Sequence, residues 1–515
     1  MTPNLARLVG ALLFVASVAF VTTLDAQQLA APKKRPNVLL LVADDMNWDT
    51  PGCFGGAAPD VTPAIDRLAA GGMRFRHAYV NISICTPSRS VILSGLYPNR
   101  NGAEGFQRIH AGTETLPAAL NKAGFICGIV GKPLRQQELF RWSVTYRWKG
   151  VGDEDKWGRD PAVFRKFSRD FFAVSKTAGQ PFFLMASSHD PHRPFGRGRA
   201  KGKHAERAPA SRTYRASEVR LPGLLPDLPG MREDFADYAT SVRRLDDMVG
   251  GVLEELETAG LSENTIVIFL ADHGMPFPGA KFNCYPDSVR TPLIVRWPGR
   301  VEAGAIDSEH MVATVDLQAT ILEAVGLKAG ATDGRSFLPI LRGEKREGWD
   351  RVFAQFHHIH GADALPMRSV ITRDAAYVFN PWSNGERTFR RLGGKGFDAM
   401  KSQPSLRARI RHLRVRTVEE FFDLRKDSNC LESLLGTRDA PRAESAMAAN
   451  DRKALEALRA SLREWMVRVK DPALKAFDRR SDSKALEKFV QDYRKEAARV
   501  KEELKKYEKA NEFRF

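Results

Sequence analysis

The chain has 515 residues, 43% of them apolar and 27% charged, a balance that excludes fibrous and intrinsically disordered classes and allows a large α/β domain plus a smaller one. A formal net charge of +17 favours polyanionic partners through long-range fields. Five widely spaced cysteines with no C-x-x-C pair exclude a zinc ribbon, and their odd count leaves at least one thiol unpaired in an exported chain, with up to two disulfides.

Residues 1–26 read as a secretory signal: Arg7 precedes an apolar run from Leu8 to Val21, and small Ala26 offers the cleavage position. That run is short for a membrane span, and no other segment approaches about 20 apolar residues. The mature protein is therefore expected to be secreted or periplasmic, without stable membrane insertion. Export argues against nucleic acid as the partner of the positive charge and suits a sulfated or carboxylated polysaccharide. Much of the excess lies in Gly196–Arg207 and Leu406–Arg416, segments that read equally well as solvated basic surface.

Four apolar runs of strand length follow, at Asn37–Asp45, Gly124–Lys132, Pro181–His192 and Thr265–Gly274, each continuous in the way buried parallel strands are. Between them lie amphipathic helices. Phe235, Tyr238, Val242, Leu245, Val249, Val252 and Leu256 recur at helical spacing, and Gly260 stops that helix. The alternation predicts a doubly wound, mostly parallel α/β domain over 35–350. Over 351–470 the pattern predicts a smaller α+β unit. Its antiparallel strands lie in Arg368–Asn380 and Glu419–Asp427, and a helix over Asp451–Val469 is capped by Asn450. Residues 471–515 form a charged extension in which Leu486, Phe489, Tyr493, Val500, Leu504 and Tyr507 make the apolar stripe of a long helix lying on its own domain.

Each of the four runs ends in ionisable residues: Asp44-Asp45, Lys132, His189 to His192, and Asp272-His273. In open parallel sheets the ligand site lies beyond the carboxyl ends of the strands, so these groups are expected to form one constellation. Asp44, Asp45 and Asp272 are hard oxygen donors suited to Ca²⁺ or Mg²⁺. His273 prefers a softer ion, or else donates a hydrogen bond to a bound anion. Arg89, Lys132, His192 and Lys281 would surround a small dense anion such as phosphate or sulfate. Cys85 stands in CTPSRSVILSG as half of a disulfide, a buried thiol or a reactive centre at a helix start, with Arg89 one turn along.

Cys85, Pro87, Ser88 and Arg89, followed by the apolar run and Ser94-Gly95, resemble the signature of the type I sulfatases of the alkaline-phosphatase-like superfamily. PNVLLLVADD, TPAIDRLAAGGMRFRHAY, Gly131-Lys132, His192 with Pro194, ADHG followed by Lys281, and RTPLIVRWPG occur in the family's order, covering about Arg35 to Leu435. SSHDPHRPF and HGMPFPGAK look most like the sulfamidase (heparan N-sulfatase) branch. The resemblance implies that Cys85 is oxidised to formylglycine by a formylglycine-generating enzyme that reads Pro87 and Arg89. In the hydrated aldehyde one hydroxyl attacks sulfur and the other, once deprotonated, expels sulfate; a thiol has no second hydroxyl. It also implies one Ca²⁺ held by Asp44, Asp45, Asp272, His273 and the modified Cys85. Arg89 and Lys132 would steady the gem-diol, Lys281 and His192 would bind sulfate, and His192 would protonate the leaving group. The implied activity is hydrolysis of a sulfuric ester or sulfamate on a sulfated sugar or glycosaminoglycan.

Two positions depart from the family pattern. Leu134 replaces the histidine of Gly-Lys-x-His, usually assigned to expelling sulfate, a general-base task, which leaves His189, His110 or another base to substitute. His273 replaces an asparagine. Two rival readings remain: a catalytically impaired polyanion-binding homologue, which Leu134 and the basic surface favour, and a phosphodiesterase or phosphonate hydrolase on the same fold, which Cys85 opposes.

Overall fold

The computed structural model describes residues 35–132, 137–146, 158–195, 208–359, 364–390 and 392–510. The signal segment, Leu134 and the basic stretch Gly196–Arg207 lie outside them. Along the chain the strands are β1 (Asn37–Ala43), β2 (Met73–Phe75), β3 (Ala78–Tyr79), β4 (Ile126–Gly131), β5 (Val144–Tyr146), β6 (Phe182–Ser187), β7 (Thr265–Ala271), β8 (Leu293–Arg296), β9 (Ile306–Asp307) and β10 (Val312–Ala313), then β11 (Arg351–Phe356), β12 (Met367–Thr372), β13 (Ala375–Phe379) and β14 (Glu419–Asp423). Eight of them form one twisted sheet in the order β5-β4-β6-β1-β7-β8-β2-β9.

The four apolar runs are the four central neighbours of that sheet, β4, β6, β1 and β7, all parallel. Their continuity follows from burial on both faces: every residue of β1, β6 and β7 is buried. Removing such a Leu, Val or Phe side chain from water stabilises the fold by about 1.5–3 kcal/mol. Helices cover both sides. The Pro161–Ala178 helix begins where the Asp160 carboxylate accepts from the Ala162 amide, with Pro161 in the first turn. Its Phe164, Phe167, Phe171 and Phe172 are buried. The Pro229–Thr258 helix buries the stripe read from the sequence and gives way to Gly260 at φ +70.

Register decides where the site lies. Ala43 pairs with Ala271, Val42 with Ser187, and Gly131 with Ser187. The four strands therefore end level, and the next residues emerge side by side from one edge.

A second, antiparallel sheet has the order β11-β12-β13-β14. Its members β12, β13 and β14 match the two expected segments. Strand β11 was not read from the sequence, because RVFAQF mixes both faces, with Phe353 partly buried and the polar Gln355 fully buried, and shows no clean alternation. The following helix runs Ala449–Arg468 with Ala448 as its N-cap and no side-chain cap bond. Asn450 thus lies inside the first turn rather than capping it: the chain turns helical two residues earlier than the polar side chain marks. The last helix, Ser483–Ala510, buries Leu486, Val490 and Ala497 and leaves Phe489 and Tyr493 partly buried. Val500 and Leu504 are also partly buried, so the inner face keeps the described members of the expected stripe and adds Val490 and Ala497 to it. All five cysteines are free, so neither allowed disulfide forms.

Candidate active site

The level strand ends deliver Asp44 and Asp45 after β1, Lys132 after β4, the Ser188–His192 loop after β6, and Asp272-His273 after β7. Backbone bonds carry the sheet pattern past the last paired residues and hold these groups together. The amides of Asp44, Asp272 and Lys132 donate to the carbonyls of Asp190, Ala43 and Ser187 at 2.9, 3.0 and 2.6 Å. Asp45 turns back in the left-handed region at φ +67, which aspartate tolerates, and its amide donates to Asp272 Oδ1 at 3.1 Å.

Cys85 opens the Cys85–Ser94 helix, every residue of which is buried, and no side chain caps its start. The positive end of that helix therefore points into the site. Two residues moor it to β7: Ser88 Oγ donates to the Asp272 carbonyl at 2.6 Å, and Arg89 Nε to Asp272 Oδ2 at 2.9 Å. Arg89 also donates to Ser187 Oγ. Cys85 Sγ lies 3.4 Å from His273 Nε2, 4.0 Å from Asp45 Oδ1 and 4.0 Å from Lys281 Nζ. The eight sequence-predicted groups around it converge. Lys281 Nζ bridges both Asp45 oxygens at 2.7 and 2.8 Å, Lys132 pairs with Asp44, and His192 Nε2 stands 3.8 Å from Asp45 Oδ2. Three carboxylates thus face three always-charged cations. Asp44, Asp45, Asp272 and His273 are wholly buried, whereas the His192 side chain is 38% exposed and forms the open lip.

Burial alone would raise both aspartates, but the cations outweigh it. Lys132, His192 and Arg89 hold Asp44 well below the usual carboxylate range, and Lys281 and His192 lower Asp45. In return Asp44 and Asp45 raise Lys132 and Lys281 against their own burial. For Cys85 the balance runs the other way. Burial, reinforced by Asp44, pushes the thiol up to about 12 despite the two lysines. An unmodified Cys85 stays protonated at neutral pH and is a poor nucleophile.

Asp44 and Asp272 offer the hard oxygens that suit a divalent ion, and Asp45 groups instead with Cys85 and His192. Ligand atoms of Asp44, Cys85, Asp272 and His273 lie within 4.8 Å of one another, and Asp44 Oδ1 is buried without a hydrogen-bond partner. His273 Nδ1 lies 2.9 Å from the Gly274 carbonyl, which only accepts, so Nε2 is the atom turned to the site. The anion side has its own orphan: Arg89 Nη2 is buried with no acceptor.

Four supporting residues were not singled out from the sequence. Ser187 anchors Arg89. Asp190 receives Arg244 through Nε and Nη2 at 2.6 and 2.7 Å, and both side chains are fully buried. Arg159 also reaches Asp190 and donates to the His192 carbonyl at 3.0 Å. The legible signal was Arg244 itself, a charge set between Val242 and Leu245 on the buried side of a helix. Of the substitute bases, His110 is exposed, with its amide bonded to Asn101. His189 follows β6 at the level strand ends, with its amide donating to the Gly158 carbonyl at 2.8 Å; burial lowers it well below the ordinary imidazole value, and the charges of Lys132 and Arg159 add to this.

Residues 36–327 match the family model described as Sulfatase, and residues 279–378 match that described as N-sulphoglucosamine sulphohydrolase, C-terminal. N-sulphoglucosamine sulphohydrolase of Homo sapiens is 33% identical over 380 residues, covering 68% of this chain and 74% of that protein. A structure solved in complex with its substrate D-glucosamine-2-N,6-O-disulfate superposes with a TM-score of 0.60 at 19% identity, covering 85% of this chain and 99% of that one. A 2-O glycosaminoglycan sulfatase does so with a TM-score of 0.63 at 20% identity, over 88% and 96%. With more than half its length matched by one family model and a relative of this identity, the chain belongs to the sulfatase family, in its sulfamidase-like branch.

Proposed function

We propose that this protein releases sulfate from sulfated glucosamine residues of a glycosaminoglycan, with the N-sulfate as the preferred group. The observation that carries the reading is the placement of Cys85. It lies at the positive end of a buried helix, between three carboxylates and the cations Arg89, Lys132 and Lys281. In this reading Cys85 is converted to formylglycine, whose hydrate would supply one hydroxyl for attack and a second to expel sulfate, which a thiol lacks. Asp44, Asp45, Asp272 and His273 would hold Ca²⁺ with the modified residue, and the ion would supply Lewis-acid polarisation of the sulfate oxygens.

The chain's own residues do the rest. Arg89, with its unpartnered Nη2, and Lys132 orient the reacting group on the strand ends. Lys281 turns from Asp45 to the sulfate oxygens. His192 Nδ1 lies 2.5 Å from the Arg193 carbonyl, which directs Nε2 to the lip where the leaving nitrogen or oxygen departs. His189, kept neutral by burial beside Lys132, is the base that stands in for the histidine replaced by Leu134. Export through residues 1–26 belongs to the same proposal, as does division at 35–350, 351–470 and 471–515. Among the described residues no helix is long and apolar enough to cross a membrane.

The test is sulfate release from glucosamine N-sulfate and glucosamine 6-O-sulfate, using protein produced with a formylglycine-generating enzyme and supplied with Ca²⁺. Mass spectrometry of the Cys85 peptide should read about 18 Da below cysteine. His189→Gln is expected to lower kcat by about 10²–10⁴-fold with KM little changed. Binding without sulfate release by the modified protein would favour the impaired homologue. Turnover of a phosphonate monoester in place of both sugars would favour the phosphonate hydrolase, which Cys85 in its C-x-P-S-R setting opposes.

A further inference from the structure

The site above uses none of the basic segment from Thr388 to Arg416, where nine lysines and arginines face one acid, Asp398. Its two helices, Lys395–Lys401 and Arg407–Arg414, sit on the loops that carry the anion-binding residues. Leu413 and Phe397 share a core with Phe277 and Ala280, just before Lys281, and a Leu413 methyl lies against Gly279. The Gly396 amide donates to Asp234 Oδ2 at 3.1 Å. The same carboxylate holds Arg193, next to His192, at 2.9 and 2.7 Å.

The inner side of the Arg407–Arg414 helix is thus tied to the lip, and its outer side carries Arg407, Arg411 and Arg414, all exposed. Neighbouring segments add to that face. The Phe389 amide donates to the Arg414 carbonyl at 2.8 Å, which brings exposed Arg390 alongside. Arg414 and Lys401 lie over one Phe397 ring, at 5.6 and 5.7 Å from its centroid. Arg411 is tied to Asp439 and Lys401 to Asp398. Arg390, Arg407 and Arg414 have no carboxylate partner among the described residues. Cations left unneutralised beside an anion-handling lip are a surface for the rest of a polyanion.

We infer that this basic rim binds the unreacted part of a sulfated polysaccharide chain, so that the protein acts on polymers through a second contact region outside the reacting sugar. This rests on the reading of the site as a sulfatase.

The test compares the triple variant R390Q/R407Q/R414Q, its lysine counterpart and the unaltered full-length protein. Each is assayed on glucosamine N-sulfate and on a heparin-derived dodecasaccharide. The glutamine variant should show about tenfold higher KM for the oligosaccharide at low salt, a difference that shrinks as salt rises. Its kinetics on the monosaccharide should match the unaltered protein, and the lysine variant should recover. It should also leave a heparin column at lower salt. Equal KM on the oligosaccharide with unchanged heparin retention would overturn the rim, and so would equal losses on both substrates. Binding duplex DNA as tightly as heparin would overturn the saccharide assignment. If the unaltered protein releases no sulfate from either sugar, the sulfatase reading fails, while heparin retention still decides whether the rim binds polyanions.

Discussion

Arg244 and Asp190 show how a buried pair can serve a site it does not enter. Asp190 offers its carbonyl to the Asp44 amide and its carboxylate to Arg244, while Arg159 ties the same carboxylate to the His192 carbonyl. Arg244→Met leaves part of a fully buried carboxylate unpaired and is expected to destabilise the fold by about 3–5 kcal/mol, read by chemical denaturation. Asp287 behaves differently. Burial, reinforced by Asp49, pushes its carboxyl up to about 7 from 3.8, and its Oδ2 has no partner. A raised folded value means that the folded state keeps a proton the unfolded chain has lost. Stability therefore falls as pH rises from about 4 to about 7 and is level above that. Asp287→Asn should raise the denaturation midpoint at pH 8, by at most about 4 kcal/mol in free energy, and leave it unchanged at pH 4. At this scale the sequence was legible wherever chemistry required an unusual residue at a strand end, as at Asp44, Cys85 and Asp272. It was silent on Ser187, an ordinary hydroxyl whose role arises only from Arg89 folding onto it.

Among the elements, β4 depends on a single glycine. Gly131 closes the strand at φ +87, and a Cβ there would come within 2.2 Å of the Ser187 carbonyl oxygen. Gly131→Ala must push β4 from β6 or rotate Lys132 off Asp44. The expected outcome is a loss of at least about 2 kcal/mol in stability together with a fall in kcat, measured on the same preparation. The four central strands were readable because double-sided burial imposes unbroken apolar runs. Their spatial order was not, since Gly124–Lys132 and Pro181–His192 are similar runs and only pairing places β6 between β4 and β1. Strand β11 and the start of the Ala449–Arg468 helix escaped for a related reason: packing against neighbours, rather than local pattern, sets both.

For the molecule as a whole, the two sheets are joined by packing. One apolar cluster contains Tyr79, Val91 and Tyr285 from the catalytic part, Val370 and Phe422 from the second sheet, and Leu462 and Val490 from the last helices. Tyr493 extends the joint by donating to Glu104 at 3.0 Å, 2.6 Å from His357 Nδ1. Damage at the active-site edge should consequently register in global unfolding. Ca²⁺ at about a hundredfold over its Kd is expected to stabilise the folded state by about 2.7 kcal/mol, seen as a higher thermal midpoint that a chelator reverses. Mg²⁺, which demands tighter octahedral geometry, should do less.

The match of three carboxylates by Arg89, Lys132 and Lys281 bears on what leaves the enzyme rather than what enters it. With the pocket's fixed charges cancelling, a bound divalent ion leaves two positive charges to be satisfied. A sulfate ester brings one negative charge and liberated inorganic sulfate brings two, so the product neutralises the cavity better than the substrate does. Turnover should slow as sulfate accumulates, and phosphate, of similar shape and charge, should compete in the same way.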